Sequence, residues 1–538
     1  MKIGVDFGTT YTKIAYLDEH GKPVLFEYPK GNKAKKYVPT AVAYRQHSTK
    51  QTSTIGATAR LDMLKKKSVF CENFKMLLPL KSASQWETQG WPAQAPEPVA
   101  VVADYVNTLL REDRRSFEHV HQPIRSVVVS VPEVWQRDVN NRGAEQLQQV
   151  IRDELRLQLD RLMSEPVCAA AYYAYQHEQE YGPFTGNVLV CDMGGGTFDA
   201  ALCSINGQKV KVLCFDGNGR RELGLAGVTF DRQAVTTAWQ NIHHEQPEMS
   251  SREFLELLRD FEEEKVNRDL TDELAAINEY PETAADTPLY TLNHHDDEYD
   301  FTYAELQDVF RPIREGIHAV LTRIQAKAVQ RGWEIHRRII VGGFGQFFLV
   351  QQAIDEIMPL AYPDNAAKKF DYTIGFEPGI VAYGAALVAN GIIDPVEYYP
   401  HSIGVRVHYQ TYHENAPVYK EKILPIITAD QIPTDQPGEI YYLQDELTGE
   451  RTRVSVQAKS GKLLTLPVRI QQLGEGAWIE LNTGEQELPP AGSYHIGLTL
   501  DRSNLVTLIF EPVAGERALN KRIYQLGQLN FDLIVEAT

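Results

Sequence analysis

Cysteine is scarce in this chain. Its 538 residues include 5, at Cys71, Cys168, Cys191, Cys203 and Cys214. The number is odd and no two form a C-x-x-C pair, which reads as reduced thiols in a reducing compartment and not as a disulfide framework. Long hydrophobic runs are missing too. None approaches the roughly 20 residues that a bilayer-spanning helix needs, so no membrane segment is expected. Positive charge is in deficit, with 54 Lys and Arg against 72 Asp and Glu and a net charge of −18. That balance argues against a broad nucleic-acid or acidic-lipid surface. The opening MKIGVDFG enters an apolar run at once and leaves no room for a signal peptide, so a cytoplasmic location is expected.

What is present is ordinary globular material, 43% hydrophobic and 23% charged, long enough for two to four domains. Residues 1–30 read as strand, tight turn, strand, turn, strand, with DEHGKP as the hairpin between KIGVDF–YTKIAYLD and VLFEY. Helical spacing is expected around 98–120 and 136–163, with RSVVVSVP between them as a buried strand ending at Pro132. NVLVCD at 187–192 is a further strand. Long charged helices are expected at 251–275 and 302–331, then the short strand RRIIVGG. Strands and helices alternate to about residue 392, which argues for an α/β domain. Beyond Pro395 the texture changes to alternating runs (RTRVSVQ, LLTLPVRI, AWIELN, YHIGLTL, NLVTLIF) between Gly, Pro and Asn turns, as in a β-sandwich. The expected organisation is an α/β domain over 1–391, a linker IIDPVEYYP over 392–400 and a β-rich domain over 401–538.

A weak internal repeat is the most informative feature. DFGTTYT at 6–12 and DMGGGTFD at 192–199 each follow one apolar strand and precede another, which suggests a duplicated fold with a ligand between the halves. Phosphate oxygens need backbone N–H donors, and glycine lets the backbone approach and turn them inward. Gly8, Thr9 and Thr10 would do this in one loop, and Gly194, Gly195, Gly196 and Thr197 in the other. Asp6, Asp192 and Asp199 would stand at strand ends near the phosphates. Carboxylates there would repel a bare polyphosphate, so a hard cation is implied, with Mg²⁺ partly held through water the natural choice. A third turn, IIVGGFGQF, sets Gly342, Gly343 and Gly345 between a strand and a helix starting near 347, where backbone could lie flat against an adenosine. Any one of these turns alone is commonplace; the ordered set of three is not.

At these residues the chain resembles the 70-kilodalton heat-shock chaperones of the DnaK type and, more distantly, actin and sugar kinases. GVDFGTTYTKIAYL and VLVCDMGGGTFDAAL resemble the two phosphate loops, VVVSVPEVW and SEPVCAAAYYAY the connecting stretch, IIVGGFGQ the adenosine loop and EPGIVAYGAAL the closing helix. The resemblance covers about 1–393. It implies a duplicated, two-lobed actin-like (ribonuclease H-like) ATPase domain that binds ATP or ADP with Mg²⁺. On the matching positions it implies Asp6, Asp192 and Asp199 around the metal and its water, and Gly8, Thr9, Thr10, Tyr11, Gly194, Gly195, Gly196 and Thr197 around the phosphates. Lys75 in NFKMLL would place the attacking water, with Glu165 in SEPVCAAA as its proton acceptor or orienting group. Pro132 matches a proline switch. Gly227, Glu264, Arg268, Thr271, Gly342, Gly343 and Phe344 would border the adenosine. Asn267 stands where the family has a lysine, and Val228 where an acidic residue is expected.

The C-terminal likeness is patchier. HSIGVRV at 401–407, QIPTDQPGEIYY at 431–442 and LPPAGSYHIGLTLDRSNLVTLIF at 488–510 resemble parts of the family's peptide-binding β-sandwich. The linker lacks the family's acidic, Leu-rich run, and neither a helical lid nor an acidic tail is expected. The functional expectation is a chaperone-like ATPase whose nucleotide state governs the grip of the β-domain on a protein or peptide client, with a co-chaperone or exchange factor as further partners. The main alternative is a scaffold that holds ATP, hydrolyses it slowly and recruits partners. A small-molecule kinase of the same superfamily would need a base and a sugar pocket for which no motif stands out; filament formation is a further alternative. His243–His244 and His294–His295 with Asp296 and Asp297 have metal-like composition, but the second cluster reads as a solvated hairpin turn. FEEEK at 261–265 reads as the exposed face of a helix.

Overall fold

The computed structural model describes the chain except for residues 31–32, 48–49, 64, 66–67, 113–122, 133–134, 136–141, 219–224, 250, 295–296, 359–378, 397, 400, 414–415, 430, 432–437, 446–447, 457–462, 465, 467, 472–475, 482–485, 502, 504, 516–518 and 527–538. Parts of the expected stretches 98–120, 136–163 and 431–442, and Glu377, Pro378, His295 and Asp296, therefore lie outside the described residues. The fold is mixed α/β with several sheets. It divides into two compact units, one of Met1–Val134, Gln149–Leu159 and Met163–Asp394, the other of Trp135–Gln148, Asp160–Leu162 and Pro395–Thr538.

The first unit is organised by two sheets of the same plan. In one, β1 (Lys2–Phe7), β2 (Tyr11–Leu17), β3 (Pro23–Leu25), β4 (Ser126–Val131) and β5 (Gln158–Ser164) run in the order β5-β4-β1-β2-β3. In the other, β6 (Thr185–Met193), β7 (Phe198–Asn206), β8 (Lys209–Gly217) and β9 (Arg337–Val341) run in the order β8-β7-β6-β9. β1 is antiparallel to β2 and parallel to β4; β6 is antiparallel to β7 and parallel to β9. Consecutive residues of both central strands, Ile3–Phe7 and Val188–Met193, are buried, so each strand is covered on both faces. That is why both read as near-continuous apolar runs.

The helices are α1 (Glu165–Tyr181), α2 (Gly227–His243), α3 (Arg252–Asn267), α4 (Thr271–Glu279), α5 (Tyr303–Arg331), α6 (Phe348–Ile357) and α7 (Ile380–Ala389), with shorter segments between them. α1 and α7 share one buried cluster with residues of both sheets, including Ala15, Val128, Val190 and Ala201. Small residues let them approach. A Cβ on Gly384 would lie 1.7 Å from the Cys168 carbonyl oxygen, and one on Gly4 would lie 2.2 Å from the Ala386 nitrogen. α5 starts at a capping box between Thr302 and Glu305 and stops at Gly332 with φ 67°, the start and stop devices of an isolated long helix.

Three expectations need correction. The stretch expected to be helical over 136–163 holds a helix at Arg142–Gln149, a wide turn at Val150–Glu154 and then strand β5. Leu159, Leu162 and Met163 fit a sheet as readily as a helix, and pairing beside β4 decides. The helix expected over 251–275 is broken, because Arg268 adopts extended backbone and a new helix starts at Thr271. FEEEK is not simply an exposed face: Phe261 is fully buried and the Lys265 side chain is 11% exposed.

The second unit holds β10 (Ser402–His413), β11 (Ala416–Ile427), β12 (Val468–Gln471) and β13 (Ile479–Glu480) in a sheet of order β11-β10-β12-β13. A second sheet runs Tyr441–Tyr442, β14 (Gly492–Leu500), β15 (Val506–Pro512), β16 (Arg522–Gln525), with Arg453–Val456 also paired to β14. Ile403, Val405 and Ile470 from the first sheet and Tyr494, Leu498 and Leu508 from the second share one core, as in a sandwich. The expected linker is anchored at its ends, since Ile393 belongs to the core of the first unit and Tyr399 to that of the second. Among the described residues no helix is long and apolar enough to cross a membrane.

Candidate nucleotide site

The repeated strand–loop–strand device places the acidic residues in matching positions. Asp192 and Asp199 face each other across β6 and β7, and Asp6 faces Lys13 across β1 and β2. The loops between those strands meet. A Cβ on Gly195 would fall 2.3 Å from the Thr10 hydroxyl, and one on Gly196 would fall 2.6 Å from the Thr9 hydroxyl and 3.1 Å from the Met76 sulfur. Glycine is required there because the opposite loop occupies the space. Gly8, with Tyr11 closing its turn, and Gly194 complete the two loops, and nothing nearer than 3.9 Å confronts a Cβ on Gly194.

Met76 belongs to a single helical turn, Phe74–Leu77, that also carries Lys75. The Lys75 side chain is 1% exposed, and its ammonium donates to Glu165 Oε1 at 2.6 Å and lies 5.7 Å from the Phe7 ring centre. Glu165 opens α1 right after strand β5. Burial drives its carboxyl above the ordinary range, with Lys75 opposing and Asp6 adding to the rise. Asp6 accepts from Lys13 Nζ at 3.0 Å and from the Ser130 hydroxyl at 3.3 Å. Thr197 donates its hydroxyl to Asp199 at 2.6 Å. The Asp192 carboxyl is held well above its usual range by burial, then by the Glu165, Asp6 and Asp199 carboxylates, with Lys13 pulling the other way. A site with this surplus of buried oxygen charge favours a hard cation.

The third glycine turn joins the same region. Gly342 has φ 85°, and a Cβ on it would meet the Met193 carbonyl at 2.3 Å and Asp192 Oδ1 at 2.5 Å. Only glycine tolerates both the angle and the approach. Next to it, Gly343 faces open space, while the Phe344 ring turns inward and stacks on Phe347 at 5.1 Å and 14°. Gly227 donates its amide to the Gly194 carbonyl at 3.3 Å, and Val228 to the Gly195 carbonyl at 2.8 Å. Arg268, at the end of α3, bonds Glu264 and Glu273, each at 3.3 Å, and the Thr271 hydroxyl donates to Asp269 at 2.6 Å. Lys265 ties α3 to the glycine loop. Its ammonium bonds Asp231 and lies 4.9 Å from the Phe344 ring centre.

The residues brought together around the two loops are therefore Asp6, Thr9, Thr10, Lys75, Glu165, Asp192, Gly195, Gly196, Thr197, Asp199 and Gly342. Glu264, Arg268 and Thr271 form a second group at the α3–α4 junction. Sequence reasoning missed Lys13, Ser130 and Lys265. The spacing of seven from Asp6 to Lys13, equal to that from Asp192 to Asp199, was the signal for the first. A cavity of about 440 Å³ between α2 and α5, lined among others by Thr229, Gln233, Asp308 and Ile313, has none of the glycine-loop residues in its wall.

The family model described as Hsp70 protein matches residues 2–398, the stretch that carries all of these loops. The chain belongs to the Hsp70 family. Curated relatives agree at low identity. It is 22% identical over 395 residues to the chaperone protein DnaK of Mycoplasmoides gallisepticum, covering 73% of this chain and 60% of that protein. It is 23% identical over 362 residues to the chaperone protein DnaK of Mycoplasma mycoides subsp. mycoides, covering 66% and 55%. It is 23% identical over 417 residues to the chaperone protein dnaK1 of Synechocystis sp., covering 73% and 55%. This Hsp70 relative thus spans little more than half the length of the curated proteins it matches.

Proposed function

We propose that the chain is a chaperone-like ATPase that binds and hydrolyses Mg-ATP in its α/β unit and couples the nucleotide state to the hold of its β-domain on a protein or peptide client. The observation that carries the reading is the meeting of two equivalent glycine loops beside the buried Lys75–Glu165 pair. Two sheets of one plan, with α1 and α7 sharing a core with both, support a duplicated, two-lobed actin-like (ribonuclease H-like) domain over 1–391. The two facing sheets support a peptide-binding-like domain over 401–538.

In this reading the amides of Gly8–Tyr11 and Gly194–Thr197 hold the phosphates of ATP or ADP. Gly227 and Gly342–Phe344 offer backbone to the adenosine, and Glu264, Arg268 and Thr271 its base contacts. Mg²⁺, when bound, neutralises phosphate charge. The donor set fits it, since Asp6, Asp192 and Asp199 offer hard oxygens and Asp192 is already short of positive charge. Among the described residues no group of three His, Cys, Asp or Glu is arranged to hold an ion directly, so phosphates and water would supply most of its ligands. Lys75 orients the attacking water and Glu165, which it holds, accepts or directs the proton. Rate enhancement comes from positioning and electrostatic stabilisation of in-line attack. The reading places the protein in the cytoplasm, with a client and a co-chaperone or exchange factor as partners and without nucleic acid or membrane.

Two departures favour a slower variant, an ATP-holding scaffold. Val228 lays an apolar side chain on Gly195 where the family resemblance expects an acid, and Asn267 spends its amide on the Glu263 carbonyl. ATP turnover by the purified protein, with and without an unfolded model polypeptide, tests both. Stimulation supports a client-coupled ATPase; binding without stimulation supports the scaffold; no ATP binding overturns the proposal. ATP should also change protease sensitivity over 392–400, and identical cleavage with ATP, ADP and no nucleotide would count against coupling.

A further inference from the structure

α3 ends in a turn that its own core does not anchor. The residues it buries are Phe254, Leu257, Leu258 and Phe261, at the spacing of one helix face. Continuing that face leads to positions 264 and 265, which hold a glutamate and a lysine. Val266 is then 76% exposed, and Arg268 leaves the helix for extended backbone. Glu264 and Arg268, assigned above to base contacts, therefore hang on a turn that no buried apolar side chain of α3 fixes.

Lys265 fixes that turn by charge. Its side chain is 11% exposed and its ammonium bonds Asp231 of α2. The same ammonium lies 4.9 Å from the Phe344 ring centre and 5.8 Å from that of Phe230. Phe344 is itself held, 5.3 Å from Phe230 and stacked on Phe347. One cation thus joins α3, α2 and the third glycine turn, while α2 bonds the second glycine loop through the amides of Gly227 and Val228. A buried ion pair is a weak stabiliser, and an apolar residue at 265 would anchor the turn without the cost of desolvation. What the pair adds is direction, since a carboxylate and an aromatic face accept an ammonium from few angles.

Resting on the nucleotide reading above, we infer that Lys265 is a positioning residue for base selection. It sets the last turn of α3 against the third glycine turn, so that Glu264, Arg268 and Thr271 meet adenine in one fixed arrangement. Hydrogen-bonding groups discriminate between bases only where they are held to within about 0.5 Å. The phosphate end of the site, formed by the two glycine loops, does not depend on Lys265.

Calorimetric titration of the full chain with ADP and with GDP, both in Mg²⁺, tests this without reference to turnover. The two ligands share ribose and phosphates and differ in the base. The wild type should prefer ADP by about 10-fold or more. Lys265→Met alone would strand the buried Asp231, so it is combined with Asp231→Asn. The double variant should bring the two affinities within about 3-fold of each other, through a loss for ADP with GDP little changed. Lys265→Arg, which keeps the charge, should retain most of the preference. Equal weakening for both nucleotides would make the pair merely structural and overturn the inference. So would an undiminished preference in the double variant, or none in the wild type. A wild type that binds neither nucleotide overturns the nucleotide reading, and the inference with it.

Discussion

Lys75 and Glu165, 90 residues apart in the chain, meet through one 2.6 Å hydrogen bond in a buried site. One comes from a single helical turn after a short strand, the other from the first position of α1. A buried pair of this kind is costly to desolvate and costs about 3–5 kcal/mol more to break from one side. Such a pair stabilises poorly, so its presence beside two meeting glycine loops points to use.

Glu165→Gln keeps the size and a hydrogen-bond acceptor for Lys75 but cannot take a proton. It should bind ATP with wild-type affinity and hydrolyse it about 10²-fold more slowly or worse. Single-turnover phosphate release together with a binding titration checks this. Hydrolysis at the wild-type rate would remove Glu165 from the chemistry.

Asp192 offers a test that separates stability from function. Its carboxyl is raised well above the usual range by burial and by Glu165, Asp6 and Asp199, so its charge works against the ligand-free fold at neutral pH. Asp192→Asn should raise the melting temperature of the ligand-free protein by a few degrees while abolishing most of the upward shift that Mg-ATP produces in the wild type. An undiminished Mg-ATP shift in the variant would place the carboxylate outside the site.

The contact of α1 with α7 makes a purely structural prediction. With 1.7 Å between the Cys168 carbonyl and a Cβ on Gly384, and that oxygen held by a helix backbone, nothing flexible can yield. Gly384→Ala should destabilise the first unit by about 3 kcal/mol or more, visible as an earlier thermal transition. A melt within one degree of the wild type would mean that the two helices slide apart freely.

The loops were legible in the sequence because three glycine turns follow apolar strands in order, and because two copies in one chain check each other. Gly195 and Gly196 show why, since each sits where the hydroxyl of Thr10 or Thr9 would strike a Cβ. The strand at Gln158–Ser164 was not legible. Its leucines satisfy helical and extended spacing alike, and only pairing beside β4 settles it. Lys13 and Lys265 were hidden for a different reason. A lone lysine in sequence reads as solvated, and whether its ammonium is turned inward depends on an acid supplied by another element, here Asp6 and Asp231. The break after Asn267 hid likewise, for Arg268 turns the chain while bonded to Glu264 behind it and Glu273 ahead.

Glu262 on α3 should make the stability of the first unit depend on pH in a definite direction. Burial, and after it the Asp231 carboxylate, push its carboxyl up to about 7, with Arg60 and Lys265 opposing and Glu72 adding to the rise. In the unfolded chain the same group titrates near 4.5. The folded state thus holds the proton more tightly than the unfolded one, and the stabilisation from Glu262 is complete below the unfolded value and lost as pH rises through about 7. Glu262→Gln cannot ionise and escapes the loss. It should match the wild type near pH 4.5 and exceed it by about 1–3 kcal/mol at pH 8, read as a melting-temperature difference that grows between those limits. Taking the difference between variant and wild type removes the contribution of every other titrating group common to both. A difference that stays constant from pH 5 to pH 8 would show that Glu262 remains ionised throughout, reached by solvent or by Arg60.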